Sequence, residues 1–264
     1  MHLTALYQYP IKSLGGIAMQ RAQVNPWGLA YDRRWMLVKP DGSFITARRY
    51  PRMLLLQPEW RGDQLYVFHR QKDLPPLEVP MEPEGPSLPV VVWDDTVQAQ
   101  RVGAEADAWF SAQLGLDCHL VYLPDASFRA VDPRYARAGE GVSFADGYPH
   151  LIIGEASLAD LNARLPEPVG MDRFRPNLVF AGGTPFVEDT WQEIQIGPIT
   201  FFPVKPCARC VLTTIEPSTA QAGKEPLATL SSYRGQDHKV MFGMNLLHQG
   251  RGEVQVGDEL VVKR

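Results

Sequence analysis

Apolar positions along this chain come in short runs, each closed by glycine, proline or a polar turn residue. Leu3–Tyr9 alternates loosely between apolar and polar positions, as a half-buried strand does. Trp35–Val38, Leu54–Gln57, Leu65–Phe68 and Pro89–Trp93 are branched or aromatic and end at turn residues, so each predicts a strand. Asp41-Gly42, between two such runs, predicts a hairpin turn. The second half repeats the pattern at Leu178–Phe180, Glu193–Ile196, Ile199–Val204, Val211–Ile215 and Val254–Val262. Leu74–Pro89 holds six prolines and few apolar residues, which marks it as a linker or a long surface loop.

Helical periodicity is confined to three places. Ala104–Leu114 sets Ala108, Phe110 and Leu114 near one face. Ser157–Leu165 puts Leu158, Leu161 and Leu165 on one stripe, with Ser157 and Asp160 as a capping-box-like start. Pro226–Arg234 begins with proline in the first turn and carries Leu227, Leu230 and Tyr233. There is no internal repeat. The expected fold class is therefore α+β and β-rich: a β-barrel or sandwich over 1–95, then a second β-barrel with a few helices over 96–264.

Composition narrows the function. The 264 residues are 45% hydrophobic with a net charge of −4. No bulk positive field favours nucleic acid, and no apolar run approaches the roughly 18 residues of a membrane span. The N-terminus lacks a signal-peptide pattern, so a cytoplasmic address is expected. Three cysteines are too few for a disulfide framework or a four-thiolate iron–sulfur cluster.

Two cysteines sit close together in Cys207-Ala208-Arg209-Cys210. Arg209 and Lys205 place positive charge near these thiols, which favours the thiolate that soft metals bind. The motif alone leaves other readings open. Buried structural cysteines are common. Zinc would have to recruit distant ligands such as Cys118, His238 or His248. A thioredoxin-like pair wants a strand–helix–strand context that is absent here. Basic residues recur beside turns at Lys12-Ser13, Arg33-Arg34, Arg173, Arg175 and Arg209. Each reads singly as a solvated charge, but together they would suit a phosphate-bearing ligand. Phe144-Ala145-Asp146-Gly147 reads as a turn. His119, His150, His238 and His248 show no ligand spacing and read as ordinary.

The ordered set of short motifs resembles the MOSC superfamily in its arrangement with an N-terminal β-barrel domain. That group includes bacterial YcbX-type proteins and the mitochondrial amidoxime reducing component. The resembling pieces include Tyr9-Pro10-Ile11-Lys12-Ser13, Gly28–Trp35, Phe144–Gly147, Ser157–Asn162 and Arg173–Asn177. They continue through Glu188–Trp191, Cys207–Thr214, Glu225-Pro226-Leu227 and Val256-Gly257-Asp258. The resemblance implies a molybdenum cofactor, a metal on a pterin dithiolene with a phosphate tail. It implies that Cys210 is the metal ligand, while Cys207 is not. Lys12, Ser13, Arg33, Arg175, Asn177 and Arg209 should hold the cofactor's anionic and polar parts. Asp146 should lie near the metal and handle or orient protons.

The implied reaction is the two-electron reduction of a small N-hydroxylated compound, such as a hydroxylaminopurine, an amidoxime or a hydroxylamine. A C-terminal ferredoxin domain, present in some relatives, is not expected here. Electrons should come from a separate iron–sulfur, flavin or haem protein, and neither nucleic acid nor membrane is an expected partner. The rival expectation is a carrier that passes on the cofactor or a sulfane sulfur without turnover of its own.

Overall fold

A computed structural model describes residues 1–136 and 139–264. It is β-rich, with three α-helices among the described residues, so the α+β expectation holds. The largest sheet runs Leu260–Val262, Ile194–Ile196, Ile199–Arg209, Lys239–Gln249, His150–Gly154, Leu178–Ala181, His2–Gln8 and Ile17–Met19, with Gly235–Gln236 paired at one side. The two N-terminal strands His2–Gln8 and Ile17–Met19 thus extend a sheet built otherwise from the second half. His2–Gln8 pairs antiparallel with both Leu178–Ala181 and Ile17–Met19. Arg21–Asn25 in turn pairs with Gly252–Gln255.

A four-stranded sheet orders Trp35–Val38, His119–Tyr122, Asp95–Arg101 and Ser87–Val92. Its hairpin between Ser87–Val92 and Asp95–Arg101 turns at Trp93-Asp94, with Val92 paired to Asp95. Leu3, Leu6, Phe180, Phe201 and Leu246 fill the core of the large sheet, while Trp35, Leu37, Leu56, Phe110 and Leu120 fill another core. No helix among the described residues is long and apolar enough to cross a membrane.

Several elements follow the pattern closely. Trp35–Val38 and Ala104–Leu114 form as predicted. Asp41-Gly42 makes the tight turn: Gly42 takes φ +80°, and a Cβ there would lie 2.7 Å from the Pro89 carbonyl oxygen. A side chain would collide with backbone at that point, so glycine is required.

Others differ for local reasons. Leu54–Gln57 is split, because Pro51 starts a 3-10 turn over Pro51–Leu55 before the strand Leu56–Arg61 begins. Leu74–Pro89 is not a free linker: Leu77–Val79 adds a strand to Gln64–His69, with Leu77 and Val79 buried. Val211–Ile215 is not a strand. The Thr213 and Thr214 hydroxyls donate to the Cys210 and Val211 carbonyls at 3.0 and 2.8 Å, holding a 3-10 turn over Val211–Thr214. These local bonds outweigh β-propensity. Val254–Val262 breaks into Gly252–Gln255 and Leu260–Val262 around Gly257.

The capping box also differs. The second helix spans Glu155–Asn162, with Gly154 as its cap, so Ser157 lies inside it. Ser157 is fully buried; its hydroxyl donates to Glu188 at 2.8 Å and accepts from the Phe186 N–H at 2.8 Å. Asp160 instead pairs with Arg164 one turn on. Ser157→Ala should destabilise the fold by about 1–3 kcal/mol, since it strips a donor from a buried carboxylate. Asp160→Ala should cost under about 1 kcal/mol, as for an exposed helix pair. Urea denaturation of both variants checks this; equal losses would restore the capping-box reading.

Candidate functional site

The strand Ile199–Arg209 carries two prolines, Pro203 and Pro206, and its pairing with Lys239–Gln249 slips just after each. Proline has no N–H to give the ladder, so bulges and a bend fall there. The bent end delivers Cys207-Ala208-Arg209 to a cleft, and Cys210 opens the 3-10 turn at its wall. The cleft gathers Lys12, Ser13, Arg33, Asp146, Arg175, Asn177, Arg209 and Cys210. The eight site residues that the resemblance implies thus meet in one place.

Each cation in the cleft is tethered. Lys12, only 5% exposed, donates to the Phe144 carbonyl at 2.7 Å and to Asp146 Oδ1 at 2.5 Å. Arg33 donates to Asp32 Oδ2 at 2.5 Å, Asn177 Oδ1 at 3.1 Å and the Arg175 carbonyl at 3.3 Å. Arg175 donates to the Leu14 carbonyl at 2.6 Å. The guanidinium carbons of Arg33 and Arg175 lie 4.3 and 4.2 Å from the Tyr9 ring centroid. Arg209 donates to the Phe174 carbonyl at 2.6 Å and to Cys207 Sγ at 3.0 Å. Its buried Nε has no protein partner among the described residues.

Backbone strain collects at the same place. Ser13, Arg33 and Arg175 take φ values of +70°, +51° and +56°. Such left-handed residues cost about 1–3 kcal/mol each and persist where surrounding bonds dictate them.

The Phe144–Gly147 turn is held from outside the cleft. Buried Arg129 donates to the carbonyls of Ser143 and Ala145 at 3.0 and 2.5 Å, and the Phe144 N–H donates to the Arg33 carbonyl at 2.9 Å. Asp146 itself faces the opening, its side chain 67% exposed. Partial burial would raise its pKa, but the Lys12 charge and hydrogen bond and the Arg48 charge outweigh that. The carboxyl is held well below its ordinary range. Burial first, then the Arg33 charge, brings Arg175 down to about 10, against the opposing influence of Tyr9. It remains a cation at neutral pH.

The two cysteines differ. Cys207 accepts from Arg209 and packs beside Phe174 and Phe242 in an apolar cluster. Cys210 engages the local structure through its carbonyl, which accepts from the Thr213 N–H and hydroxyl at 3.1 and 3.0 Å. Arg173 braces this turn from behind, donating to the Thr213 carbonyl at 2.7 Å and to Glu216 at 2.9 Å. Lys205 turns instead to the rings of Tyr135 and Tyr148. Arg34 diverges from Arg33 to Asp125 and the Leu123 carbonyl. Sequence reasoning missed Thr46, Arg48, Tyr148, His150 and Asn245, which also line the cleft. Arg48 stacks 4.2 Å from the Trp93 ring, and no local motif announced it.

A molybdenum–pterin group with a phosphate tail fits this donor set. Five cations and one carboxylate line the cleft, in a chain whose net charge is −4. An unpartnered Arg209 Nε awaits an acceptor, and two cysteines, Cys207 and Cys210, line the wall. No group of three or more His, Cys, Asp or Glu side chains among the described residues could hold a metal alone. The zinc reading through Cys118, His238 and His248 therefore has no geometric support.

Comparisons agree with the arrangement of the chain. A family model described as the MOSC N-terminal beta barrel domain matches residues 1–117, and the MOSC domain model matches 139–261. The mouse mitochondrial amidoxime-reducing component 1 is 34% identical over 96% of this chain and 79% of its own length. The chain belongs to the MOSC family. The human mitochondrial amidoxime reducing component 2 is 32% identical over 96% of this MOSC protein and 81% of its own length. A rice molybdenum cofactor sulfurase is 30% identical over 99% of this chain but only 35% of its own length.

The Lys12–Asp146 pair sets a pH dependence. A carboxyl whose folded pKa is depressed contributes stability that is present above its unfolded value and lost as pH falls through the folded one. Wild type should therefore exceed Asp146→Asn in stability at neutral pH. The gap should close only below the usual carboxylate range of about 4. Thermal melts of both proteins from pH 7 to pH 2 measure it; a gap that is constant with pH would refute the ion pair.

Proposed function

We propose that this protein is a molybdenum-cofactor-dependent reductase of N-hydroxylated compounds: hydroxylaminopurines, amidoximes and hydroxylamines. The observation that carries the reading is the meeting of Cys210 with Lys12, Arg33, Arg175 and Arg209 in one cleft. The similarity to proteins named amidoxime-reducing components supports the substrate class.

In this reading Cys210 is the protein's ligand to the metal. Lys12, Ser13, Arg33, Arg175, Asn177 and Arg209 bind the anionic and polar parts of the cofactor, because guanidinium and ammonium groups offset buried phosphate charge. The bound group supplies the electron pair that breaks the N–O bond. The balance is R–NH–OH + 2 e⁻ + 2 H⁺ → R–NH2 + H2O. Asp146, ionised at neutral pH, orients Lys12 and polar substrate hydrogens as an acceptor. Electrons come from a separate iron–sulfur, flavin or haem protein. The three free thiols suit a reducing cytoplasm, and in this reading an N-terminal domain of 1–95 and a second domain of 96–264 both contribute residues to the cleft. A carrier of cofactor or sulfur is the second reading, favoured by the similarity to the rice sulfurase.

Two outcomes test the reading. Cys210→Ser should abolish reduction of a hydroxylamine substrate, because a hydroxyl is a harder and less readily ionised ligand than a thiol. Cys207→Ser should keep a good part of it; equal loss in both would sink the single-ligand assignment.

The cofactor-loaded chain should also turn over with a reduced viologen dye but not with NADH. No Gly-x-Gly-x-x-Gly fingerprint follows a strand in this sequence. Robust NADH oxidation by the pure chain would overturn the need for a donor protein. Inactivity with both reductants at full molybdenum occupancy would favour the carrier.

A further inference from the structure

Reduction of an N–O bond consumes two protons, and the carboxylate in the cleft is ionised at neutral pH. A different pair of side chains has the geometry to supply them. His150 begins the strand His150–Gly154, is 1% exposed and lines the cleft. Its Nε2 lies 3.1 Å from Nδ1 of His248, with the rings at 77°. His248, on Lys239–Gln249, lines a second depression together with Pro26, Glu140 and Arg251. The two cavities share no lining residue. The hydrogen-bonded imidazoles therefore link one cavity to the other.

A purely structural role explains this pair poorly. It sits beside Phe201 in the wall of the large sheet, where apolar side chains would pack without polar atoms to satisfy. His150 Nδ1 is buried and has no partner among the described residues. An unmet buried polar atom costs about 1–3 kcal/mol, which makes it a candidate contact for water or substrate in the cleft.

We propose that His150 and His248 form a proton relay from the second depression into the cleft; the proposal rests on the reductase reading. In the tautomer that carries both hydrogens on Nδ1, His248 Nε2 turns its lone pair from the Asn25 backbone and binds a proton, the His248 Nδ1 proton crosses to His150 Nε2, and His150 releases its Nδ1 proton toward the cleft. Two such passages match the two protons in R–NH–OH + 2 e⁻ + 2 H⁺ → R–NH2 + H2O. The electrons come from the separate carrier protein, and neither imidazole changes oxidation state. The rings return to their starting tautomers between passages.

The charges around the pair suit transfer rather than storage. Burial first, then His248 and Arg33, disfavours a charged His150. Burial lowers His248 as well, only partly offset by the Asn25 backbone and then Glu140. Neither ring therefore stores a proton at neutral pH, and each is charged only in passing.

The test compares wild type, His150→Gln and His248→Gln as full-length, cofactor-loaded proteins, with reduced viologen and a hydroxylamine substrate. Glutamine keeps a hydrogen-bonding group but cannot relay. Molybdenum and pterin content and KM should stay unchanged. The kcat of both variants should fall about tenfold or more, less than the ~10²–10⁴ of a lost general acid because cleft water remains. The solvent deuterium isotope effect should rise, the pH profile of kcat should move, and added imidazole should restore part of the rate in His248→Gln.

A second readout needs no turnover. Imidazole 15N NMR of the cofactor-free chain should show the His150 ring responding to His248→Gln and the two rings titrating as a coupled pair. Unchanged kcat and isotope effect in both variants, or independent titration, would overturn the relay. Activity lost only in proportion to lost cofactor would overturn it too, by making the pair structural. A fully loaded wild type that reduces nothing overturns the reductase reading itself, whereas an active wild type with unaffected variants overturns the relay alone.

Discussion

Cations that share a partly buried cleft repel one another, and that repulsion constrains everything around this site. An unpaired buried charge costs several kcal/mol, so each cation needs a fixed counterpart. Lys12 has Asp146 and the Phe144 carbonyl; Arg33 has Asp32 and Asn177; Arg175 has the Leu14 carbonyl and the Tyr9 face. These tethers run between distant parts of the chain. Asn177 alone ties Arg33 to the Tyr7 carbonyl and the Leu151 N–H. The N-terminal segment cannot drift from the second half without stranding charge. The left-handed backbone at Ser13, Arg33 and Arg175 follows from the same demand, because the chain must turn sharply to bring each tether into reach.

Sequence patterning found the elements whose signal was local. Trp35–Val38 and Ala104–Leu114 were legible because apolar spacing and bounding turn residues agree within each segment. Val211–Ile215 misled because branched residues signal strand, while the threonine hydroxyls that wind the 3-10 turn are equally local but opposed. Ser157 misled for another reason. Its partner, Glu188, is 31 residues away and nothing near Ser157 announces it. Leu74–Pro89 looked unstructured because prolines hide a strand of only three residues, Leu77–Val79.

The cleft was legible only through the order of its motifs. Lys12, Arg33, Arg175 and Arg209 are each ordinary in local context, and spacing could not show that they meet. Arg48 and Arg129 escaped altogether. Arg48 reaches the cleft beside Trp93, and Arg129 acts from behind the Phe144–Gly147 turn. His150 and His248 read as ordinary because they are 98 residues apart, and only sheet pairing brings His150 opposite Leu246 and its ring to His248.

The donor set also orders the steps by which such a site would assemble. A metal held by a single protein thiol gains little affinity from coordination by the chain itself, since closed protein sites use about four ligands. Among the described residues no group of three or more ligating side chains stands ready. The binding free energy in the proposed reading must then come from the organic part of the cofactor, through charge-assisted bonds to Lys12, Arg33, Arg175 and Arg209. In that reading Cys210 would act afterwards, as the contact that holds and tunes the metal. The two sets of residues sit on different kinds of element. The cations hang from strand ends and turns that join both halves of the chain, whereas Cys210 sits on a short 3-10 turn braced by Arg173. Loss of the thiol would leave the cradle for the pterin and phosphate intact. Loss of the cradle would leave the thiol with nothing to ligate.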